Sequence, residues 1–235
     1  MSVDTVMNEM AGAAAPGEAG LTLPEGVELR RVDGRLALMA GGMELAEDFR
    51  EMLPRLRPDR LGRELLVKAV RVRGVEGIRV FDATAGLGED SLLLAAAGFS
   101  VTMCEGDPVI AALLADGLRR AADDLELSGT VGRMSLVEGD SIEILPSLTE
   151  APDVVYLDPM FPARTKSAAV KKKFQLLHRL ESPCADEASL MDAALAARPR
   201  KIVVKRPIKA PALAGVRPSH SISGKAVRYD VIVPA

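Results

Sequence analysis

The sequence contains few cysteines and histidines, the residues that form the disulfides of small secreted proteins or bind zinc. Among its 235 residues there are two cysteines, Cys104 and Cys184. They show neither a Cys-x-x-Cys spacing nor a partner histidine at a ligand spacing. A disulfide-stabilised secreted fold and a zinc site are therefore both poor interpretations, and we expect no metal. This cysteine content fits the reducing cytoplasm best.

Long apolar segments are also lacking. The richest one, residues 92–97, ends at Gly98 and is far shorter than the roughly 18 residues that a membrane-spanning helix needs. The first 20 residues contain no Lys or Arg, so they lack the basic start of a signal peptide. Residues 1–23 are rich in Ala and Gly, and we expect them to form a flexible tail. We expect no membrane partner.

Charge is distributed unevenly along the chain. The net charge is −3, but the stretch from Arg164 to Arg228 contains 15 Lys and Arg against four Asp and Glu. A basic third on an acidic protein suggests a surface that faces a polyanion, although solvated helix faces would give the same composition. The overall pI of 5.6 argues against a histone-like nonspecific binder.

The N-terminal part predicts a small β/α subdomain over residues 24–76. Apolar residues alternate within 27–39 on both sides of Asp33-Gly34, a dipeptide that favours a hairpin turn. Over residues 43–72 the apolar positions recur at helical spacing, and Pro58-Asp59 is typical of the first turn of a second helix.

The remainder, residues 77–235, predicts one α/β domain with a doubly wound parallel sheet. Short apolar runs that alternate with helical patterns indicate parallel strands buried on both faces. The predicted strands are 78–81, 100–104, 134–137, 154–157 and 201–204, and the predicted helices are 89–97, 109–122, 141–148, 168–180 and 187–197. Residues 225–233 predict an additional strand that pairs as a hairpin with 219–222.

A glycine turn follows the first strand of this domain. The strand ends at Asp82, and Gly86 and Gly88 stand directly before a helix. Glycines let the backbone turn tightly and approach a ligand, and the start of the helix offers free N–H groups. Gly-x-Gly alone is a weak signal of ligand binding. A glycine turn that binds no ligand therefore remains an alternative interpretation.

Acidic residues follow the next two strands. Glu105 lies 17 residues beyond Gly88, where an acid in this kind of fold accepts hydrogen bonds from ribose hydroxyls. Asp140, followed by Ser141, is placed to accept from an adenine amino group or to cap the next helix. These residues predict a nucleoside site, for which NAD and S-adenosylmethionine both remain candidates.

The most specific motif is Asp158-Pro159-Met160-Phe161-Pro162, directly after the fourth strand. A carboxylate, a rigid proline and an aromatic ring in this order are typical of enzymes that methylate amino groups. We expect Asp158 and the carbonyl of Pro159 to accept the two hydrogens of an exocyclic base amine, and Phe161 to stack on the base. A proline-rich loop that only closes the strand is the structural alternative.

Together these motifs resemble the ribosomal RNA small subunit methyltransferase J family, which methylates a guanine N2 in 16S rRNA. The resemblance runs from about residue 29 to the C-terminus. It is carried by the segments 82–88, 108–118, 156–162, 166–172 and 203–207. It implies a Rossmann-like methyltransferase fold with a mostly parallel seven-stranded sheet, S-adenosylmethionine as cofactor, and ribosomal RNA or the small ribosomal subunit as partner.

The expected site residues fall into two sets. Those expected to contact S-adenosylmethionine, from the turn and the resemblance together, are Asp82, Gly86, Gly88, Glu89, Asp90, Glu105, Gly106, Asp140, Ser141 and Asp158. Those expected to contact RNA, because they follow strands at the carboxyl edge of the sheet, are Lys166, Lys171, Lys172, Lys173, Lys205 and Arg206.

Other functions remain open from the sequence. An amino-methyltransferase that acts on another RNA or on DNA adenine would use the same Asp-Pro-x-aromatic motif, and a catalytically silent nucleoside-binding module would retain the glycine turn. An NAD-dependent dehydrogenase is a weaker alternative, because neither His178 nor His220, the two histidines, stands at a strand end.

Overall fold

A computed structural model describes residues 21–159 and 186–234, which form a small N-terminal sheet and a large central sheet. The strands in this part of the chain are β1 Val27–Val32, β2 Arg35–Ala40, β3 Met43–Leu45, β4 Arg79–Asp82, β5 Ser100–Glu105, β6 Met134–Glu138, β7 Val154–Leu157, β8 Lys201–Pro207, β9 His220–Ser223 and β10 Val227–Ile232. The α-helices are α1 Leu53–Leu56, α2 Pro58–Leu61, α3 Leu65–Val70, α4 Glu89–Ala96, α5 Pro108–Ala122, α6 Ser128–Val131, α7 Ser141–Ser147 and α8 Glu187–Ala196. Two 3-10 helices span Phe49–Met52 and Leu213–Gly215.

The small sheet confirms the hairpin and corrects the segment after it. Asp33 and Gly34 both have positive φ, 49° and 78°, as a two-residue turn that matches the twist of its strands requires. Gly41 and Gly42 repeat this geometry, with φ of 56° and 73°. The chain therefore reverses again, and Met43–Leu45 pairs with β2 as a third antiparallel strand, where the apolar spacing predicted helix.

The large sheet has the strand order β6-β5-β4-β7-β8-β10-β9. Strands β4 to β8 are parallel, whereas β10 runs antiparallel to both of its neighbours. This arrangement confirms the predicted doubly wound, mostly parallel seven-stranded sheet with a C-terminal hairpin. The strand order reverses at β4, and ligands in such sheets bind outside the carboxyl ends of the strands at that point.

Alternate residues of the central strands supply both faces of the core. Tyr156 and Val203 face one layer of helices, and Val155 and Val204 face the other. The first layer contains α3 and α4, and the second contains α7 and α8. Burial on both faces explains why these strands are almost continuously apolar in sequence.

Helix α5 joins the two sheets. It begins at Pro108, where Asp107 accepts hydrogen bonds from the N–H groups of Val109 and Ile110 as an N-cap. Its apolar face packs with residues of β1, β2 and β3. Within the described residues, no helix is long and apolar enough to cross a membrane.

Candidate active site

The carboxyl ends of β4, β5, β6, β7 and β8 come together at the point where the strand order reverses. The polar residues at or just beyond these strand ends therefore surround one crevice. They are Asp82 and the loop to Gly88, Glu105 with Gly106, Asp140 with Ser141, Asp158 with Pro159, and Lys205.

The loop after β4 has the geometry that its glycines predict. Gly86 has a φ of 54° and Gly88 a φ of 79°, and Gly88 is the N-cap of α4. A Cβ atom at Gly88 would lie 2.8 Å from Cδ1 of Leu114, so a side chain there would meet both strain and a clash. The N-terminus of α4 and the glycine turn are thus packed closely against α5.

Asp82, one of the residues expected to contact the cofactor, lies beneath this loop. The residue is 1% exposed, and its two oxygens accept hydrogen bonds from the Thr84 N–H and the Ser91 hydroxyl, at 3.1 and 2.6 Å. Burial raises the pKa of Asp82 to about 7. Asp82 therefore shapes the turn from inside the protein.

Glu105 is held at the tip of β5 by backbone groups. Its oxygens accept hydrogen bonds from the N–H groups of Gly86 and Asp107, each at 2.8 Å. Burial raises the pKa of Glu105, and hydrogen bonds from the backbone N–H groups of Asp107, Gly86 and Gly106 oppose the shift. A carboxylate has about four acceptor positions, so Glu105 retains room to accept a hydrogen bond from a ligand hydroxyl. The arrangement suits a ribose diol and also ties the glycine turn to β5.

The neighbouring tip of β6 is fixed to β5 in the same way. The Gly139 N–H donates to the Glu105 carbonyl at 2.9 Å, and a Cβ atom at Gly106 would lie 3.5 Å from the Gly139 oxygen. Asp140 is exposed and caps α7 through the Ile142 N–H at 2.8 Å, which confirms its predicted capping role. Ser141 is the first residue of that helix.

A chain of hydrogen bonds crosses the other side of the crevice. The Lys205 ammonium donates to Oδ2 of Asp158 at 2.7 Å and to Oδ2 of Asp90 at 2.6 Å. The Tyr156 hydroxyl donates to the same Asp90 oxygen at 2.7 Å. The Asp158 N–H donates to the Thr84 hydroxyl at 2.6 Å. The motif carboxylate is therefore anchored at its backbone and at one side-chain oxygen.

This cluster shifts the pKa values of its members in different directions. Burial and the Asp90 charge raise the pKa of Asp158, against the opposing effect of Lys205. Burial alone would raise the pKa of Asp90, but the Lys205 ammonium and the Tyr156 hydroxyl lower it below its usual value. Burial would lower the pKa of Lys205, and the two carboxylates raise it instead. Lys205 is thus a permanent cation between the two acids.

The charge of the crevice distinguishes between the two candidate cofactors. The first turn of α4 contains Glu89 and Asp90, so the helix N-terminus that would receive a pyrophosphate in a dinucleotide site faces two carboxylates. Glu105, Asp140 and Asp158 add further negative charge at the neighbouring strand ends. These carboxylates fit the hydroxyls of a ribose and the positive charge of an amino-acid ammonium better than they fit a pyrophosphate.

The sequence as a whole matches known methyltransferases. Residues 25–234 match the family described as "Putative SAM-dependent methyltransferase", where SAM is S-adenosylmethionine. A protein of Thioalkalivibrio sulfidiphilus named ribosomal RNA small subunit methyltransferase J is 51% identical over 172 residues, which are 72% of this chain and 68% of that protein. The protein of the same name in Rhodopseudomonas palustris is 50% identical, over 72% of this chain and 77% of its own length. The chain belongs to the ribosomal RNA small subunit methyltransferase J family.

Solved structures agree with this membership. A SAM-dependent methyltransferase of Neisseria gonorrhoeae superposes with a TM-score of 0.74 at 33% identity, over 99% of this chain and 93% of that one. The rRNA methyltransferase aviRa of Streptomyces viridochromogenes shares the fold, with a TM-score of 0.51 at 18% identity, over 83% of this chain and 88% of that one. As a member of the family, the chain uses S-adenosylmethionine as its cofactor.

Two of the residues expected to contact RNA, Lys205 and Arg206, are engaged by groups of the protein itself in this methyltransferase. Arg206 is 1% exposed, and its guanidinium donates to the Pro211 carbonyl at 2.9 Å and to Glu187 at 3.1 Å. Successive side chains of a strand point to opposite faces of the sheet, so Arg206 points away from the face of Lys205 and into the protein. Lys205 itself is engaged by Asp90 and Asp158. Phe161, Lys166, Lys171, Lys172 and Lys173 lie outside the described residues.

Two residues of the site were not expected from the sequence, Thr84 and Tyr156. Thr84 accepts the Asp158 N–H, and Tyr156 donates to Asp90. Because β4 and β7 are paired with Asp82 opposite Tyr156, the register indicates the contact between Thr84 and Asp158 once the strand order is known. A groove of about 800 Å³ lies at the other edge of the sheet, lined by residues 71–78 and 97–99, away from all of these groups.

Proposed function

We propose that this protein transfers the methyl group of S-adenosylmethionine to the exocyclic N2 of a guanosine in the 16S RNA of the small ribosomal subunit, in the cytoplasm. The observation that carries the proposal is the Asp158-Pro159 tip of β7, which lies beside the acidic crevice. About 170 residues of the chain are half identical to proteins named ribosomal RNA small subunit methyltransferase J. The proposal rests on this combination, since many enzymes with other substrates share the fold.

The chemistry requires little more than positioning. S-adenosylmethionine, when bound, supplies a methyl group on a sulfonium, which is an excellent leaving group. Asp158 and the carbonyl of Pro159 accept the two hydrogens of the amine and thereby direct its lone pair. Phe161 stacks on the base. Holding two reactants in the productive orientation lowers the barrier by about 7–11 kcal/mol in favourable cases, so no strong base is needed.

The cofactor residues are proposed on the same grounds. Glu105 receives the ribose hydroxyls, Asp140 and Ser141 receive the adenine, and the turn from Gly86 to Asp90 lies beside the amino-acid part. Gly106 leaves space for the ligand at the tip of β5. None of these roles needs a metal, and the described residues contain no cluster of three metal-ligating side chains.

The RNA is proposed to bind at the carboxyl edge of the sheet. Lys166, Lys171, Lys172 and Lys173 follow the Asp158 motif directly in sequence. A second basic group consists of Arg57, which lies between α1 and α2, Arg60 in α2, and Arg63 just after α2, and all three are exposed. Phosphate contacts from such residues orient the RNA and add affinity without reading its sequence.

The test is tritium transfer from labelled S-adenosylmethionine to 16S rRNA and to small subunits that lack the modification, followed by nucleoside mapping. We expect N2-methylguanosine. Asp158→Ala should lose methyl transfer far more than cofactor binding, because its acceptor role is directed at the reacting amine. Label in adenine or in another RNA would contradict the proposed substrate, and an Asp158→Ala variant as active as the parent would contradict the proposed role of the motif.

A further inference from the structure

Lys205 connects two acids that come from different elements. Its ammonium lies 2.6 Å from an oxygen of Asp90, in the first turn of α4, and 2.7 Å from an oxygen of Asp158, directly after β7. The Lys205 side chain is 25% exposed, and those of Asp90 and Asp158 are 20% and 34% exposed. A partly buried ion pair of this kind is more rigid and less screened than a surface pair.

Among the described residues, the contacts of Asp158 involve its backbone N–H and one of its two carboxylate oxygens. Its backbone N–H is held by Thr84 and its Oδ2 by Lys205. None of the residues that the structure describes donates a hydrogen bond to its Oδ1. These two contacts from inside the protein fix the plane of the carboxylate. They therefore also fix the direction of Oδ1.

Lys205 also determines the charge state of the pair. Without the ammonium, the two carboxylates that it contacts would repel each other, and one of them would bind a proton more readily. A protonated carboxyl has an O–H donor in place of one acceptor, so it accepts a hydrogen of the amine less well than a carboxylate does. Tyr156 stabilises the charge of Asp90 from the other side.

We propose that Lys205 is a positioning residue for methyl transfer, which holds one oxygen of Asp158, turns the other toward the substrate amine, and keeps Asp158 anionic beside Asp90. The reaction itself rests on the proposed function. In it the lone pair of the amine nitrogen forms the new N–C bond, the electron pair of the broken C–S bond stays on sulfur, and the surplus proton leaves the nitrogen to water.

The test compares Lys205→Met and Lys205→Arg with a matched control, Lys201→Met. Lys201 lies on the same strand and is also partly buried, but its ammonium donates to the carbonyls of Ala69 and Arg71 at the other end. Lys205→Met should lower kcat for 16S rRNA about 100-fold at pH 7, as a displaced acceptor does, with the KM for RNA within about twofold. The acid limb of its pH profile should move to higher pH, because the pKa of Asp158 rises when the cation is removed.

Lys205→Arg, which retains the charge, should keep the pH profile of the wild type, and Lys201→Met should keep both kcat and the profile. A higher KM for RNA with unchanged kcat and profile in Lys205→Met would make Lys205 a phosphate contact and overturn the proposal. Equal losses of kcat and melting temperature in Lys205→Met and Lys205→Arg, without a shifted profile, would make it a structural residue and would also overturn the proposal.

A second measurement separates this proposal from the proposed function. The titration of the Asp158 carboxyl can be followed by ¹³C NMR in the protein without RNA, and assigned with Asp158→Asn. We expect a higher pKa in Lys205→Met than in the wild type, and an equal value would overturn the proposal. A wild-type protein that methylates no rRNA would refute the proposed function, while this titration would still decide whether Lys205 controls the charge of Asp158.

Discussion

Replacing Asp116 by alanine should destabilise the contact between the small sheet and α5. The Asp116 side chain is 3% exposed. One oxygen accepts from the Leu36 N–H at 3.0 Å and from Arg120 at 2.8 Å. The other accepts from Arg31 at 3.0 Å and from Arg119 at 2.8 Å. One buried carboxylate thus joins a strand of the small sheet to the helix that follows Glu105.

The four contacts differ in strength. The Arg31 and Arg119 side chains are 47% and 55% exposed, so each contributes at most about 1 kcal/mol. Arg120 is 22% exposed, and the Leu36 N–H is buried. Leaving that N–H unpaired costs about 1–3 kcal/mol, and breaking a buried ion pair costs about 3–5 kcal/mol. We therefore expect Asp116→Ala to lose about 3–5 kcal/mol of unfolding free energy, which for a chain of this size lowers Tm by roughly 10 °C.

Urea unfolding measures this loss. Asp116→Asn keeps an acceptor for Leu36 but removes the charge, so it should lose less unfolding free energy than Asp116→Ala. The control is Asp59→Ala, because Asp59 is 68% exposed and pairs with Arg57 at 3.7 Å; we expect it to stay within about 0.5 kcal/mol of the wild type. If Asp116→Ala lost less than about 1 kcal/mol, the carboxylate would not hold the sheet in the way described.

The pH dependence provides an independent check. Burial alone would raise the pKa of Asp116, but Arg120, Arg119 and the Leu36 N–H hold it well below its ordinary value of 3.8. The stability that this group contributes is therefore fully present above about pH 4 and is lost as the pH falls through the lower folded-state pKa. The difference in stability between wild type and Asp116→Asn should shrink only in that acid range.

Three further predictions concern the crevice and the RNA. The folded-state pKa of Asp82, about 7, lies above the ordinary value of 3.8. The contribution of Asp82 to stability is therefore present below about pH 4 and is lost as the pH rises through 7. In urea unfolding, Asp82→Asn should be more stable than the wild type at pH 8 but not at pH 4. Glu105→Ala should weaken S-adenosylmethionine binding by about 10- to 100-fold in calorimetry, because it removes a ribose acceptor and frees the Gly86 N–H; an unchanged affinity would exclude Glu105 from the cofactor site. Changing Lys171, Lys172 and Lys173 together to Gln should reduce the salt dependence of RNA binding by about two to three units of slope with cofactor affinity intact, and an unchanged slope would move the RNA surface to Arg57, Arg60 and Arg63.

The helices, strands and turns of this protein could mostly be predicted from local sequence. Runs such as Val154–Leu157 are apolar on both faces, Asp33-Gly34 accommodates positive φ, and Pro58 begins a helix where the sequence placed it. Each signal acts over a few residues, so no distant partner is needed to interpret it. The segment from Met43 was predicted wrongly for the same reason, because its pairing with β2 outweighs its apolar spacing.

The functions of individual charged residues depended on contacts that the local sequence does not contain. The sequence by itself determined the order of the elements, the glycine turn, the Asp158 motif and hence the family. Only the tertiary structure decided that Asp82 is buried, that Arg206 points inward and that Lys205 bridges Asp90 and Asp158. A lysine has the same local pattern whether it faces solvent or an acid 47 residues away. The electrostatic environment is determined by which strands become neighbours, and that arrangement exists only in the folded sheet.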